Sequence, residues 1–149
     1  NAGIPALAAT ASAHKALVEI GLREEVDLVV SGGINSGADI AKALALGADA
    51  VSISTAALVA LGCQVCGLCN TGRCPYGITT QIPELEERLD VAEKSESVEN
   101  LLNVFTEEAA MLAMLAGKTS LFSLERQDLR ALTLEASEIS GVPLVGTYN

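Results

Sequence analysis

Residues 26–55 read VDLVVSGGINSGADIAKALALGADAVSIST, and the order of patterns within them decides the fold. Residues 26–30 form a short apolar run closed by Ser31, Gly32 and Gly33. The run barely alternates, as expected of a buried parallel strand covered on both faces. An alanine-rich helix is predicted over residues 36–46, capped by Ser36 and stopped by Gly47. Residues 50–53 (AVSI) make a second short strand, and Thr55 opens another helical segment to about Leu61. Upstream, TASAHKALVEIG at residues 10–21 places Ala13, Leu17 and Ile20 at helical spacing, with Thr10 or Ser12 available as cap and Gly21 as stop. Helix, strand, helix, strand, helix is the wiring of a parallel βαβ unit.

Two parallel strands do not make a stable sheet, because their outer edges carry unpaired amides and carbonyls. A (β/α)₈ barrel takes about 250 residues, and this chain has 149, room for the last part of one. The expectation is therefore a piece of a larger fold, or a chain whose sheet another polypeptide completes. The absence of an initiator methionine before Asn1 fits that expectation.

Half of the residues are hydrophobic and only 3% aromatic, so the core is expected to be built from Ala, Leu, Val and Ile. A net charge of −10 argues against nucleic-acid or anionic-membrane partners, which an acidic surface repels. No apolar run approaches the ~20 residues of a spanning helix, and no charged-then-apolar leader is visible. Thiols concentrated in one loop, without a leader, point to a reducing cytoplasm.

Beyond residue 80 the character changes. Pro83 opens an acidic segment, and a long helix is predicted over residues 98–116, with Val98, Leu101, Leu102, Phe105, Leu112 and Leu115 on one side. A shorter helix is predicted over residues 126–137 before an irregular end. His14, the one histidine, is expected to pack or face solvent rather than catalyse. No acid–base pair, nucleophile or internal repeat stands out.

Two places carry chemistry. The first is the pair of turns that close the strands. Gly32-Gly33 lets the backbone turn sharply and present amides to an anion. Ser54-Thr55 falls where a helix starts, and free amides there favour phosphate. Either turn could be no more than a tight connection, but two at βαβ spacing favour a phosphate site, as after the last strands of barrels. The second place is GCQVCGLCNTGRCPYG, residues 62–77, which holds all four cysteines: Cys63, Cys66, Cys69 and Cys74. Thiols this close make strained disulfides, and structural zinc usually takes two knuckles separated by a long insert. The Cys-x2-Cys-x2-Cys-x4-Cys-Pro spacing resembles iron–sulfur loops, with zinc or uncoordinated thiols as the remaining readings.

Taken together, SGGINSGADIAKALALGADAVSISTAALVALGC and CNTGRCPYGITTQIPEL resemble the FMN- and iron–sulfur-containing synthase domain of glutamate synthase, most closely its stand-alone archaeal-type subunits. The tail DLRALTLEASEISGVPLVG resembles the end of those subunits. The resemblance implies the C-terminal part of a (β/α)₈ TIM barrel over residues 1–80, including the cysteine loop 62–77, and a helical C-terminal extension over residues 81–149. It implies FMN at the C-terminal ends of the strands, an iron–sulfur cluster that feeds it electrons, and reduction of 2-iminoglutarate to L-glutamate. Partners follow from it: the remainder of the barrel, a glutaminase domain or subunit supplying ammonia, and an NAD(P)H flavoprotein or ferredoxin as electron donor.

By the same resemblance, Gly32 and Gly33 match the first phosphate turn, with Ser31 counted among its binding residues, and Ser54 and Thr55 match the second. Cys63, Cys69 and Cys74 match the ligands of a [3Fe–4S] cluster, while Cys66 is additional and could convert the site to [4Fe–4S]. Ser31 and Ile34-Asn35 stand where relatives often carry an acidic residue before the Gly-Gly and a basic one after it. Ser52 and Ser54 stand where the second loop usually carries glycines. The catalytic and 2-oxoglutarate-binding residues are expected outside this chain, which alone should be inactive. A second reading is an electron-transfer or structural module of a related amino-acid enzyme complex, such as a glutamate N-methyltransferase-type subunit.

Overall fold

The computed structural model describes residues 3–147. It divides into two compact units. One holds the described residues through Ile53 together with those from Phe105 onward; the other is Ser54–Val104.

The first unit is built on the predicted βαβ pattern. Helix α1 (Ala6–Glu19) leads to strand β1 (Val29–Ser31), helix α2 (Gly37–Ala45) and strand β2 (Ala50–Ser52). The strands pair in parallel, Val29 opposite Ala50, Val30 opposite Val51 and Ser31 opposite Ser52. Each strand is three residues long, shorter than the sequence pattern suggests, because ladder pairing exists only where the two overlap. Val30 is buried against Ala43 and Ala48, whereas Val29 is 58% exposed. A run that reads as covered on both faces is covered on one by the described residues.

Helix α1 starts at Ala6, one turn earlier than its hydroxyl residues suggest. Its N-cap is Pro5, which makes no side-chain cap. Thr10 and Ser12 instead donate back to the carbonyls of Ala6 and Ala8, four residues before each. The core of this unit is made of small and aliphatic side chains. Ala11 of α1 and Leu46 after α2 meet Ala131 and Val142 near the C-terminal end, with Leu7 and Leu129 at the margin. The predicted helix over residues 126–137 is two elements: a 3₁₀ turn at Arg126–Asp128 and helix α6 (Leu134–Ser140). Between them Thr133 starts α6 by accepting the Ala136 amide, and Ala131 pairs with Leu144 in an isolated parallel bridge.

The second unit contains helix α3 (Thr55–Ala60), the cysteine loop with a 3₁₀ turn at Cys69–Thr71, and helix α4 (Pro83–Glu86) with proline in its first turn. An antiparallel bridge between Arg73 and Thr80 closes the loop around Cys74. Helix α5 (Val91–Leu115) is longer than the apolar pattern predicts, starting at Val91 rather than Val98. Its first two turns lack an apolar stripe but are rich in Glu, Lys and Ala, good helix formers, and the Asp90 carboxylate accepts the Glu93 amide at 3.0 Å. Among the described residues no helix is long and apolar enough to cross a membrane.

Candidate functional site

The turn after β1 is shaped by its glycines. Gly32 and Gly33 adopt φ of +110° and +75°, where L side chains are strained. Ile34 is 4% exposed and anchors the turn in the core. Asn35 donates its side-chain amide to the Gly33 carbonyl at 3.2 Å. Ser36 caps α2 as its sequence predicts, accepting the Asp39 amide.

The same helix start is surrounded by carboxylates of this chain. Asp39 accepts the Asn35 amide at 3.1 Å and the Ser36 hydroxyl at 3.0 Å. Its carboxyl is held below the usual carboxylate range: burial opposes the shift, but these two hydrogen bonds and nearby Lys42 outweigh it. Glu108 of α5 accepts the Gly37 amide at 2.7 Å. The Gly37 and Asp39 amides at the start of α2 are therefore engaged internally. At the second turn, Ser54 precedes α3 and its hydroxyl caps nothing.

The cysteines differ among themselves. Cys66 and Cys69 are exposed, Cys63 is half-buried and Cys74 is buried. The Cys63 sulfur accepts the Val65 amide at 3.3 Å, in a backbone where Val65 has φ +55°, an uncommon conformation for a β-branched residue. Cys74 lies among backbone amides. The amide of Thr79 first, then those of Tyr76 and Ile78, lower its thiol from 9.0 to about 7 against the opposing effect of burial. The Thr79 hydroxyl, buried without a hydrogen-bond partner among the described residues, also bears on this sulfur. A thiol held near its ionised form is a suitable metal ligand, since the thiolate is the species that coordinates. The four thiols fit a metal or iron–sulfur group by their chemistry and by lying in one loop. They are not gathered in advance: among the described residues no three His, Cys, Asp or Glu side chains form a ready cage.

His14 does not stand alone. Its Nδ1 accepts the Arg23 Nε–H at 3.1 Å. Arg23 also binds both oxygens of Asp49 at 2.8 Å, together with the carbonyls of Val26 and Gly47. This network ties α1 to the starts of both strands, the ends opposite to the Gly32-Gly33 turn. Neither Arg23, Asp49 nor Glu108 is marked by spacing, because their partners lie far off in sequence.

A parallel βαβ segment with a glycine turn after its first strand and a four-thiol loop after its second defines part of an α/β domain. Residues 1–119 match the model of the conserved region in glutamate synthase. The chain is 48% identical over 163 residues to a glutamate synthase large subunit-like protein of Rhizobium meliloti, covering 99% of this chain and 37% of that protein. It is also 48% identical over 141 residues to the archaeal glutamate synthase [NADPH] of Methanocaldococcus jannaschii, covering 93% of this chain and 28% of that one. A shorter match, 40% over 88 residues, is to the chloroplastic ferredoxin-dependent glutamate synthase of Oryza sativa. The chain belongs to the glutamate synthase family, and it spans about a third of the length of the first two relatives.

Proposed function

We propose that this chain is the C-terminal part of a (β/α)₈ synthase domain that reduces 2-iminoglutarate, formed from 2-oxoglutarate and ammonia, to L-glutamate. Residues 1–80 belong to the barrel, with the cysteine loop 62–77 inserted after its last strand, and residues 81–149 form a helical extension. The free outer edges of β1 and β2 are where earlier strands of the barrel pair, β1 with the one before it and β2, as the last, with the first.

Ser31, Gly32 and Gly33 hold the FMN phosphate with Ser54 and Thr55. Cys63, Cys69 and Cys74 ligate a [3Fe–4S] cluster, which Cys66 extends to [4Fe–4S] if it binds. When bound, FMN supplies hydride chemistry and the cluster supplies single electrons. This chain's own residues anchor both: backbone amides at the turns take the phosphate charge, and the amides around Cys74 favour its ionised sulfur. With Ile34 buried in place of a cation, the phosphate rests on amides rather than on a fixed positive charge.

The reductant arrives from an NAD(P)H flavoprotein or a ferredoxin, and a glutaminase domain or subunit supplies ammonia, in the cytoplasm. The name of the Methanocaldococcus relative favours NADPH as the ultimate donor. The observation that carries the reading is the four-cysteine loop, residues 62–77, inside the family match, with the Cys74 thiol lowered by neighbouring amides. Anaerobic purification of the complete polypeptide should give FMN and iron in fixed ratio to protein, with flavin and iron–sulfur absorbance. Stoichiometric zinc with neither chromophore would overturn it.

A further inference from the structure

We infer that Glu108 is a positioning residue for the glycine turn at Ser31–Gly33, through which the helical extension controls how tightly that turn holds its anion. The inference rests on the reading of that turn as the FMN phosphate site.

The turn is held at four points. Ile34 is buried, Asn35 bonds the Gly33 carbonyl, and Ser36 and Asp39 cap α2 reciprocally. The fourth is the 2.7 Å bond from the Gly37 amide to Glu108, 71 residues away. Among the described residues, every other side-chain hydrogen bond or ion pair of the turn is made within residues 33–42. Local bonds of that kind shape a turn but do not fix it to the body of the protein.

The backbone contact beside Glu108 is equally close. A β-carbon on Gly37 would fall on the Phe105 carbonyl and lie 2.7 Å from the Ala109 amide nitrogen and the Glu108 β-carbon. Glycine is needed here for space, since no positive φ is involved. Phe105 and Ala109 are buried, Ala109 completely. The α2 start thus lies directly on α5, and one charge-assisted hydrogen bond fixes its register. The carboxylate acts through Gly37 and touches no ligand.

The chemistry separates geometry from charge. Glu108→Gln retains an oxygen that accepts the Gly37 amide, whereas Glu108→Ala removes it. In the complete polypeptide, FMN affinity is measured by titrating flavin-stripped protein and following flavin fluorescence quenching, with inorganic phosphate as competitor. Phosphate competition shows that the readout reports the phosphate subsite. The expected result is FMN binding about tenfold weaker in Glu108→Ala and within about twofold of wild type in Glu108→Gln. Hydrogen exchange in a peptide covering residues 31–38 should rise in Glu108→Ala alone, while exchange in residues 6–19 stays unchanged. Equal affinity in all three proteins, or equal loss in both variants, overturns the inference. If wild-type protein binds no FMN, the underlying reading of the turn fails instead.

Discussion

Replacing Arg23 with Met keeps the apolar stem and removes the guanidinium, and the structure sets the cost. Five contacts vanish together: His14 Nδ1, the Val26 and Gly47 carbonyls, and both Asp49 oxygens. The Arg23 side chain is 15% exposed and that of Asp49 37%. The ion pair therefore lies between an exposed pair, worth ~0–1 kcal/mol, and an enclosed one, whose disruption costs ~3–5 kcal/mol. Asp49 keeps the Leu28 amide at 2.6 Å, which limits the loss. Adding the contacts to neutral acceptors, at about 0.5 kcal/mol each after discount for exposure, gives about 2–3 kcal/mol.

Hydrogen exchange of the peptide over residues 26–31 in the complete polypeptide reads this locally, because the Leu28 amide hangs on the same carboxylate. The expected acceleration is about 30- to 150-fold at 1.36 kcal/mol per decade. The pH dependence has a definite sign. Asp49 is held below its ordinary 3.8, chiefly by the Arg23 hydrogen bond and next by the Leu28 amide. The stabilisation is thus whole above about pH 4 and is lost as pH falls through the lowered value. The penalty of Arg23→Met should persist from pH 7 to about 4 and shrink below that. Acceleration under about threefold, or equal to that of Lys15→Ala in the exposed Lys15–Glu19 pair, would refute the reasoning.

Gly47→Ala should destabilise by about 2–4 kcal/mol, since it places a side chain at a positive φ and overpacks its neighbour. Its β-carbon would fall on the His14 ring and φ is +104°, so the effect should be strongly non-additive with Arg23→Met in a double-mutant cycle of unfolding midpoints. Among the thiols, Cys74→Ser should lower bound iron more than Cys66→Ser, because neighbouring amides lower the Cys74 thiol and Cys66 is exposed; equal loss on iron assay refutes that ranking. In cluster-free protein, the thiolate ultraviolet absorbance that Cys74→Ser removes should titrate near pH 7 rather than 9. A midpoint above about 8.5, the free-thiol range, contradicts that lowering.

The βαβ order, the Ser36 cap and the stop at Gly47 were legible because each depends on residues within a few positions of one another. The cysteine loop was legible for the same reason: four thiols in one short segment declare themselves without a fold. Where the reading slipped, long-range or competing contacts intervened. Thr10 and Ser12 look like caps but bond backward inside α1. Residues 126–137 split because Ala131 leaves the helical path to pair with Leu144. The early turns of α5 carry helix propensity without an apolar stripe, so a pattern search starts the helix too late.

By itself, then, the sequence determined the local grammar: which segments are helix or strand, where the backbone turns, and where thiols crowd. It also determined the family, through motifs whose spacing is chemical. Tertiary structure alone decided that Arg23 pairs with Asp49, that His14 is an acceptor for Arg23, and that Glu108 holds the start of α2. Each of these joins groups whose separation in sequence carries no periodic signal. Their proximity is fixed by packing, and hydrogen bonds act only over distances that packing creates.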